Sequence, residues 1–320
     1  MKKLLLLAVT VCFAAAAHSQ DFPNKPIRVL VPFAPGGAVD TTARVLAQAM
    51  QQRVNWQFVI ENRPGGNGFI ATTAVAKAPA DGYTLLMAHT GEFAVNPALF
   101  DNIPYELERD FAPITMVSDA PMLYLANAKA PFNTFQELVA AAKAKPGSIT
   151  FGSAGNGSIN HLAGEWLAQA AGIQLLHVPY KGGAPAAAAV ASGDVHFGVM
   201  AVPGAMPHIK SGRGKVVGIT TAKKSPLDAS WATPRDAGIP DLDASIWVGL
   251  FAPKGTPQAV IDKINQEVRA TLNVPEVQKR FVESGGAEAV GMTPAEFLAR
   301  IKSDAERYKR VVQKAGVKPG

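Results

Sequence analysis

The chain is most constrained by an alternation of short apolar strands with helical runs, in which one device occurs twice. "IRVLVPF" (27–33), "WQFVIE" (56–61) and "YTLLMA" (83–88) read as buried strands, and after the first Val39, Ala43, Leu46, Met50 and Val54 fall at helical spacing. Strands that alternate with helices predict an α/β fold, a parallel sheet flanked by helices. In "VPFAPGGAVDTTARVLAQAM" (31–50) a strand passes through Pro35-Gly36-Gly37 straight into a helix, with Asp40 just inside it. "PGSITFGSAGNGSINHLAGEWLAQA" (146–170) repeats the pattern: a strand, a glycine-rich loop, and a helix with Ile159, Leu162, Trp166 and Ala170 on one face. Such junctions offer bare backbone N–H groups to an anion. In an open α/β sheet, ligands sit beyond the carboxyl ends of the strands. Two such loops facing each other across a cleft can therefore serve one ligand.

A length of 320 residues allows two domains, and 48% hydrophobic against 18% charged residues is globular composition. Further strands read at 175–180, 195–200 and 216–220, and helices at 134–144, 275–283 and beyond 293. The apolar stretch 112–127, broken by Asp119 and Pro121, and the stretch 245–255 read as two crossings between domains. They predict a first lobe from 22–122 plus 247–320 and a second from 123–246.

Residues 1–19 stand apart. Lys2 and Lys3 precede an apolar run from Leu4 to Ala17, and Ala17-His18-Ser19 is a small-x-small cleavage site. This is a secretory signal peptide, too short for a membrane span. Cys12, the one cysteine, lies within it, so the mature chain is expected to use neither disulfides nor thiol chemistry. Formal charge is +6, or +4 once Lys2 and Lys3 are removed, and the basic residues form no dense run. That excludes a nucleic-acid footprint and suits a small anionic ligand.

Neither loop is a nucleotide motif, since "FAPGGAVD" is neither Walker A nor GxGxxG. Ser158, His161 and Glu165 lie one helical turn apart, which suggests a secreted serine hydrolase as the alternative function. Ser153 lacks G-x-S-x-G spacing, and side chains stacked along one helix rarely converge on one atom. Ser158 reads better as an N-cap. The histidines show no HExxH pattern, and no metal or cofactor is expected. Tyr180, at a strand's carboxyl end, is a candidate for lining the cleft; Lys181 reads as an exposed loop residue.

Beyond these readings, "PIRVLVPFAPGGAVDTTARVLAQ", "VIENRPGGNGFIATTAVAKAPADGYTLLM", "ERDFAPIT", "FGSAGNGSINHLAGE", "HVPYKGGAPA" and "WVGLFAPKGTP" stand in an order that resembles the Bug-type solute receptors of bacterial tripartite tricarboxylate transporters. The resemblance covers nearly the whole mature chain. It implies a two-lobed, type II-like Venus-flytrap periplasmic binding protein, each lobe a mainly parallel sheet flanked by helices, without catalytic activity. The implied ligand is a small organic carboxylate: a dicarboxylate, an acidic amino acid or an aromatic acid. The implied partners are the membrane components of such a transporter, the expected location is the periplasm, and the receptor is expected to act as a monomer. One carboxylate would be held by the two loops, through Phe33, Gly37, Ala38 and Asp40 on one side. Ser153, Ala154, Asn156, Gly157, Ser158 and His161 would hold it on the other. His89, Thr90, Gly91, Tyr180 and Ala201, at strand carboxyl ends, would line the variable end. The family commonly has a Ser-Gly-Thr-His-like stretch where this chain has "HTGEF" (89–93), and often an Asp-Asn pair where it has Ala201-Val202. Glu92 is unexpected there, because an acid would repel a second carboxylate.

Overall fold

The computed structural model describes residues 22–239 and 242–317. The signal segment read at 1–19, with Cys12, lies outside the described residues. Strand β1 (Ile27–Val31) runs parallel to both β2 (Phe58–Asn62) and β3 (Thr84–His89). Then come β4 (Phe111–Asn127), β5 (Thr150–Ser153), β6 (Leu176–Pro179), β7 (Phe197–Ala201), β8 (Gly214–Ile219), β9 (Ser245–Pro253) and the two-residue β10 (Glu288–Ala289). The order across the sheet is β2-β1-β3-β9-β4-β7-β5-β6, with β8 and β10 each added to β4. A parallel trio stands at either end, β2-β1-β3 and β7-β5-β6. The strands between them, β9 and β4, pair antiparallel with each other and with their neighbours.

β4 belongs to both halves. From Phe111 to Pro121 it pairs with β9, and from Met122 onward with β7 and β8. Met122, Tyr124 and Ala126 enter one apolar cluster, while Leu123 and Leu125 enter another with Val190, Met200 and Ile219. This is the period-2 alternation of a strand covered on both faces. The first cluster is continuous from β1 to the helix Ile159–Ala171.

The helix Ala38–Val54 follows its sequence pattern, with Val39, Ala43, Leu46 and Met50 buried and Asn55 ending it in the left-handed region. The helix Ile159–Ala171 buries Ile159, Leu162, Ala163 and Leu167 and leaves Ala170 exposed. Its Gly164 sits so close to the Phe151 ring that no Cβ would fit, which draws the helix down onto β5. The helix Pro294–Ala315 opens with a capping box between Thr293 and Glu296. It touches both halves: Phe297 meets Trp247 edge-on at 5.3 Å, and Tyr308 meets Trp166 at 6.2 Å. Arg300 on this helix reaches Asp304 at 2.7 Å and Asp119 of β4 at 3.3 Å, beside the point where β4 changes partners. Trp247 Nε1 donates to Asp304 as well, at 3.0 Å. Among the described residues no helix is long and apolar enough to cross a membrane.

Candidate functional site

Both glycine loops lie at carboxyl ends of strands, β1 and β5, where the topology places ligands. Their helix starts differ. The first helix has Gly37 as its N-cap and no side chain capping it. Its first N–H groups have no intrahelical acceptor, so Ala38 and Val39 present open donors at the positive end of the dipole. Asp40 does not block them. Its carboxylate turns back to accept from the Gly36 N–H at 2.9 Å, from Asn62 Nδ2 at 2.9 Å and from Arg44 Nε at 3.0 Å. Asn62 also donates to Phe33 O at 2.9 Å, so this network, centred on the buried Asp40, sets the loop's shape. Burial pushes the Asp40 carboxyl up, but the bonds from Arg44, Gly36 and Asn62 outweigh it and hold it below the usual range.

The second helix start is closed by its own loop. Ser158 Oγ accepts the His161 N–H at 3.2 Å and donates to Gly155 O at 2.8 Å. The Gly157 N–H, at φ +72°, donates to His161 Nδ1 at 3.1 Å. The serine–histidine pair suggested by the spacing is therefore not formed: the hydroxyl caps the helix, and the ring holds the loop. Ser153 is fully buried, with Oγ 2.7 Å from His177 Nε2 and 3.1 Å from Gly155 O. The His161 and His177 rings stack with centroids 3.7 Å apart and planes within 8°. Burial and the neighbouring His161 lower the His177 pKa to about 4. Ala154 is half-buried and Asn156 exposed, on the open side of the loop. A Cβ on Gly157 would lie 2.9 Å from Leu99 Cδ1, so the second loop rests against the end of the short helix Asn96–Leu99.

The remaining candidates lie at or near strand ends. Phe33 and His89 are half-buried, with ring centroids 4.5 Å apart. Thr90 is fully buried, and its hydroxyl accepts from Trp247 N at 3.0 Å and donates to Ser245 O at 3.2 Å. It ties β3 to β9 instead of facing a ligand. Gly91 opens a single π turn (Gly91–Val95) in which Glu92 is wholly buried behind His89. Tyr180 packs over Gly152, and its N–H donates to Ser153 O at 3.1 Å. Ala201 ends β7 and begins the helix Val202–Lys210, another start without a side-chain cap, which approaches the helix Ala38–Val54. The sequence reading missed Leu99, His177 and the ties of Asp40 to Arg44 and Asn62. A concavity of about 520 Å³ beside Asn127, Lys129, His196 and Arg213 touches neither loop.

Comparison with known proteins gives this geometry a context. The family model "Tripartite tricarboxylate transporter family receptor" matches residues 42–317. Protein BugT of Bordetella pertussis is 33% identical over 314 residues, 98% of this chain and 96% of its own. Rpa4515 of R. palustris, solved with adipate, superposes with TM-score 0.87 at 31% identity, covering 94% of this chain and 100% of that one. MatC of Rhodopseudomonas palustris, solved with bound malate, gives TM-score 0.80 at 30% identity, covering 91% and 100%.

Proposed function

The chain belongs to the tripartite tricarboxylate transporter receptor family, with its two-lobed α/β fold, and from that premise we propose that it captures a small organic carboxylate between its lobes and delivers it to the membrane components of such a transporter. In this reading the chain works in the periplasm as a monomer, after loss of residues 1–19, and turns nothing over. The lobes are 22–122 plus 247–320 and 123–246; the exchange of partners along β4 supports that division. The helix Pro294–Ala315, which touches both halves, lies across the hinge.

One observation carries the proposal: the uncapped start of the helix Ala38–Val54, at the end of β1, with its loop braced from behind by Asp40. Hydrogen bonds to a charged acceptor contribute about 1.5–3 kcal/mol each. Micromolar binding needs about 8 kcal/mol net of immobilisation costs. Donors from the first loop alone are marginal, so the open side of the second loop, at Ala154 and Asn156, and the start of the helix Val202–Lys210 complete the clamp. Only a closed arrangement brings them together, so binding and closure are coupled. The adipate and malate in similar structures support this ligand class. A thermal-shift screen of mono-, di- and tricarboxylates and aromatic acids tests it. A true ligand stabilises by about 2.7 kcal/mol at a hundredfold excess over Kd, and a screen in which no acid stabilises the chain refutes the reading.

A further inference from the structure

The helix Ile159–Ala171 begins at Ser158, the cap of the second loop, so whatever moves this helix moves the loop. It packs on the helix Pro294–Ala315, and that helix is held differently along its two halves. The first half is fixed to β4 and β9. The Phe297 ring lies so close to Gly249 of β9 that no Cβ would fit between them, and Ile301 is buried as well. Arg300 donates to Asp304 at 2.7 Å, to Ser245 Oγ at 3.1 Å and to Asp119 at 3.3 Å, and Trp247 Nε1 donates to Asp304 at 3.0 Å. Bonds to charged groups of this kind fix a geometry. Further along, Arg307 Nη1 donates to Asp243 O at 3.0 Å. Asp243 stands two residues before β9, at the crossing itself, where rotation of one lobe on the other displaces it least. The contacts with the helix Ile159–Ala171 are of another sort. Tyr308 meets Trp166 edge-on at 6.2 Å, the Arg307 guanidinium stands 6.0 Å from the centre of the Trp166 ring, and Gln169 Nε2 reaches Val311 O at 3.5 Å. The last two distances are at the outer limit for a cation over a ring and for a hydrogen bond. Tyr308, Val311 and Val312 are nevertheless buried, so this half is held mainly by apolar contact, which has no preferred direction.

We propose that the face between these two helices is a shear surface. When the cleft opens, the helix Ile159–Ala171 slides along the second half of the helix Pro294–Ala315, which stays with the first lobe, and draws the second loop off its seat on Leu99. Trp166 and Tyr308 are then positioning residues for that loop. Trp166 stands about 12 Å along the helix from Ser158 and acts without touching the ligand. This rests on the division into lobes and on the reading of the cleft as a carboxylate site. Packed helices slide by small steps without coming apart. An apolar face permits that step, and the charged network stands on the side that stays fixed. The contact of Leu99 with Gly157 marks the arrangement described as the closed one.

Residues 20–320 contain no cysteine, so Gln169→Cys with Val311→Cys places one pair of thiols across the surface. The mature chain carrying both is joined by a short bis-maleimide linker, and the same chain capped with a monofunctional maleimide is the control. Solution scattering without ligand is read first. The capped chain should match wild type and have a larger radius of gyration than the joined chain; equal values for joined and capped chains overturn the proposal. With the best acid from the screen, association and dissociation in the joined chain should both slow by about tenfold or more, because entry and exit need the slide. Unchanged rates overturn it. A third reading uses the wild-type background. Adding the acid should shift the tryptophan emission of wild type, and Trp166→Phe should lose that shift while still binding, a signature that a merely structural role would not give. A full shift in Trp166→Phe overturns the role given to Trp166. A wild type that binds no acid of the screen overturns the carboxylate reading, and the scattering comparison then decides the shear surface by itself.

Discussion

Gly37→Val separates binding from folding more cleanly than any other change in the two loops. Gly37 has φ −80° and ψ 175°, a conformation open to every residue. A Cβ built there meets nothing nearer than Ala34 O at 3.8 Å. The fold should therefore lose only the N-cap preference of glycine over valine, about 1 kcal/mol or less. The two methyl groups, however, stand over the open N–H groups of Ala38 and Val39. Displacing a carboxylate from even one of them forfeits about 1.5–3 kcal/mol, roughly ten- to a hundredfold in Kd. Urea unfolding measures the first quantity, and calorimetric titration of the best acid from the screen measures the second. A stably folded Gly37→Val that binds as tightly as wild type would show that the first helix start does not hold the ligand. Gly157→Val cannot serve in its place. Its φ of +72° makes valine strained whatever the ligand does, and its Cβ pushes on Leu99.

Ser158→Ala should cost about 1 kcal/mol of stability as a lost N-cap and leave the chain inert to active-serine probes, read by denaturant midpoint and mass spectrometry; covalent labelling of Ser158 in wild type would contradict the reading. Arg300→Met should lower stability by about 1–3 kcal/mol, less than a fully buried pair because Arg300 is partly exposed, by leaving Asp119 and Asp304 uncompensated; an unchanged urea midpoint would refute it. For pH, the His177 pKa of about 4 in the fold lies below its ordinary value near 6.5. The unfolded chain then takes the proton first as pH falls, so stability drops between about pH 6.5 and pH 4 and the loss is complete below that window. Partial exposure to solvent limits the effect to about 1–2 kcal/mol. His177→Gln should flatten this part of the urea-midpoint profile, and an unaltered slope would assign it to other groups.

Much of this was legible in the residues. β1, β2, β3, β5 and β7 sit within a few residues of their apolar runs, and the helix Ala38–Val54 buries Val39, Ala43, Leu46 and Met50 of the positions that its spacing names and leaves Val54 half-buried. The two apolar crossings became β4 and β9, paired with each other. That pairing, and the antiparallel centre it creates, left no trace in periodicity, because alternation is the same in either strand direction. The symmetry of the two loops was legible only in part. The cap at Ser158 was legible and holds, but nothing in the spacing says that Asp40 turns away and leaves the other helix start open. The stack of His161 on His177 depends on the register of β5 with β6, which puts His177 beside Phe151. The burial of Glu92 depends on a π turn, which has no simple sequence period.

The central claim is that helix starts and loop amides hold the charge of a carboxylate between the lobes. Calorimetric titration of wild type with the best acid from the screen, set against the methyl ester of the same acid, tests it most directly. The account predicts saturable binding of the acid and at least tenfold weaker binding of the ester, about 1.4 kcal/mol or more, because esterification removes the charge and one acceptor oxygen. An ester that binds as tightly as its acid would contradict it.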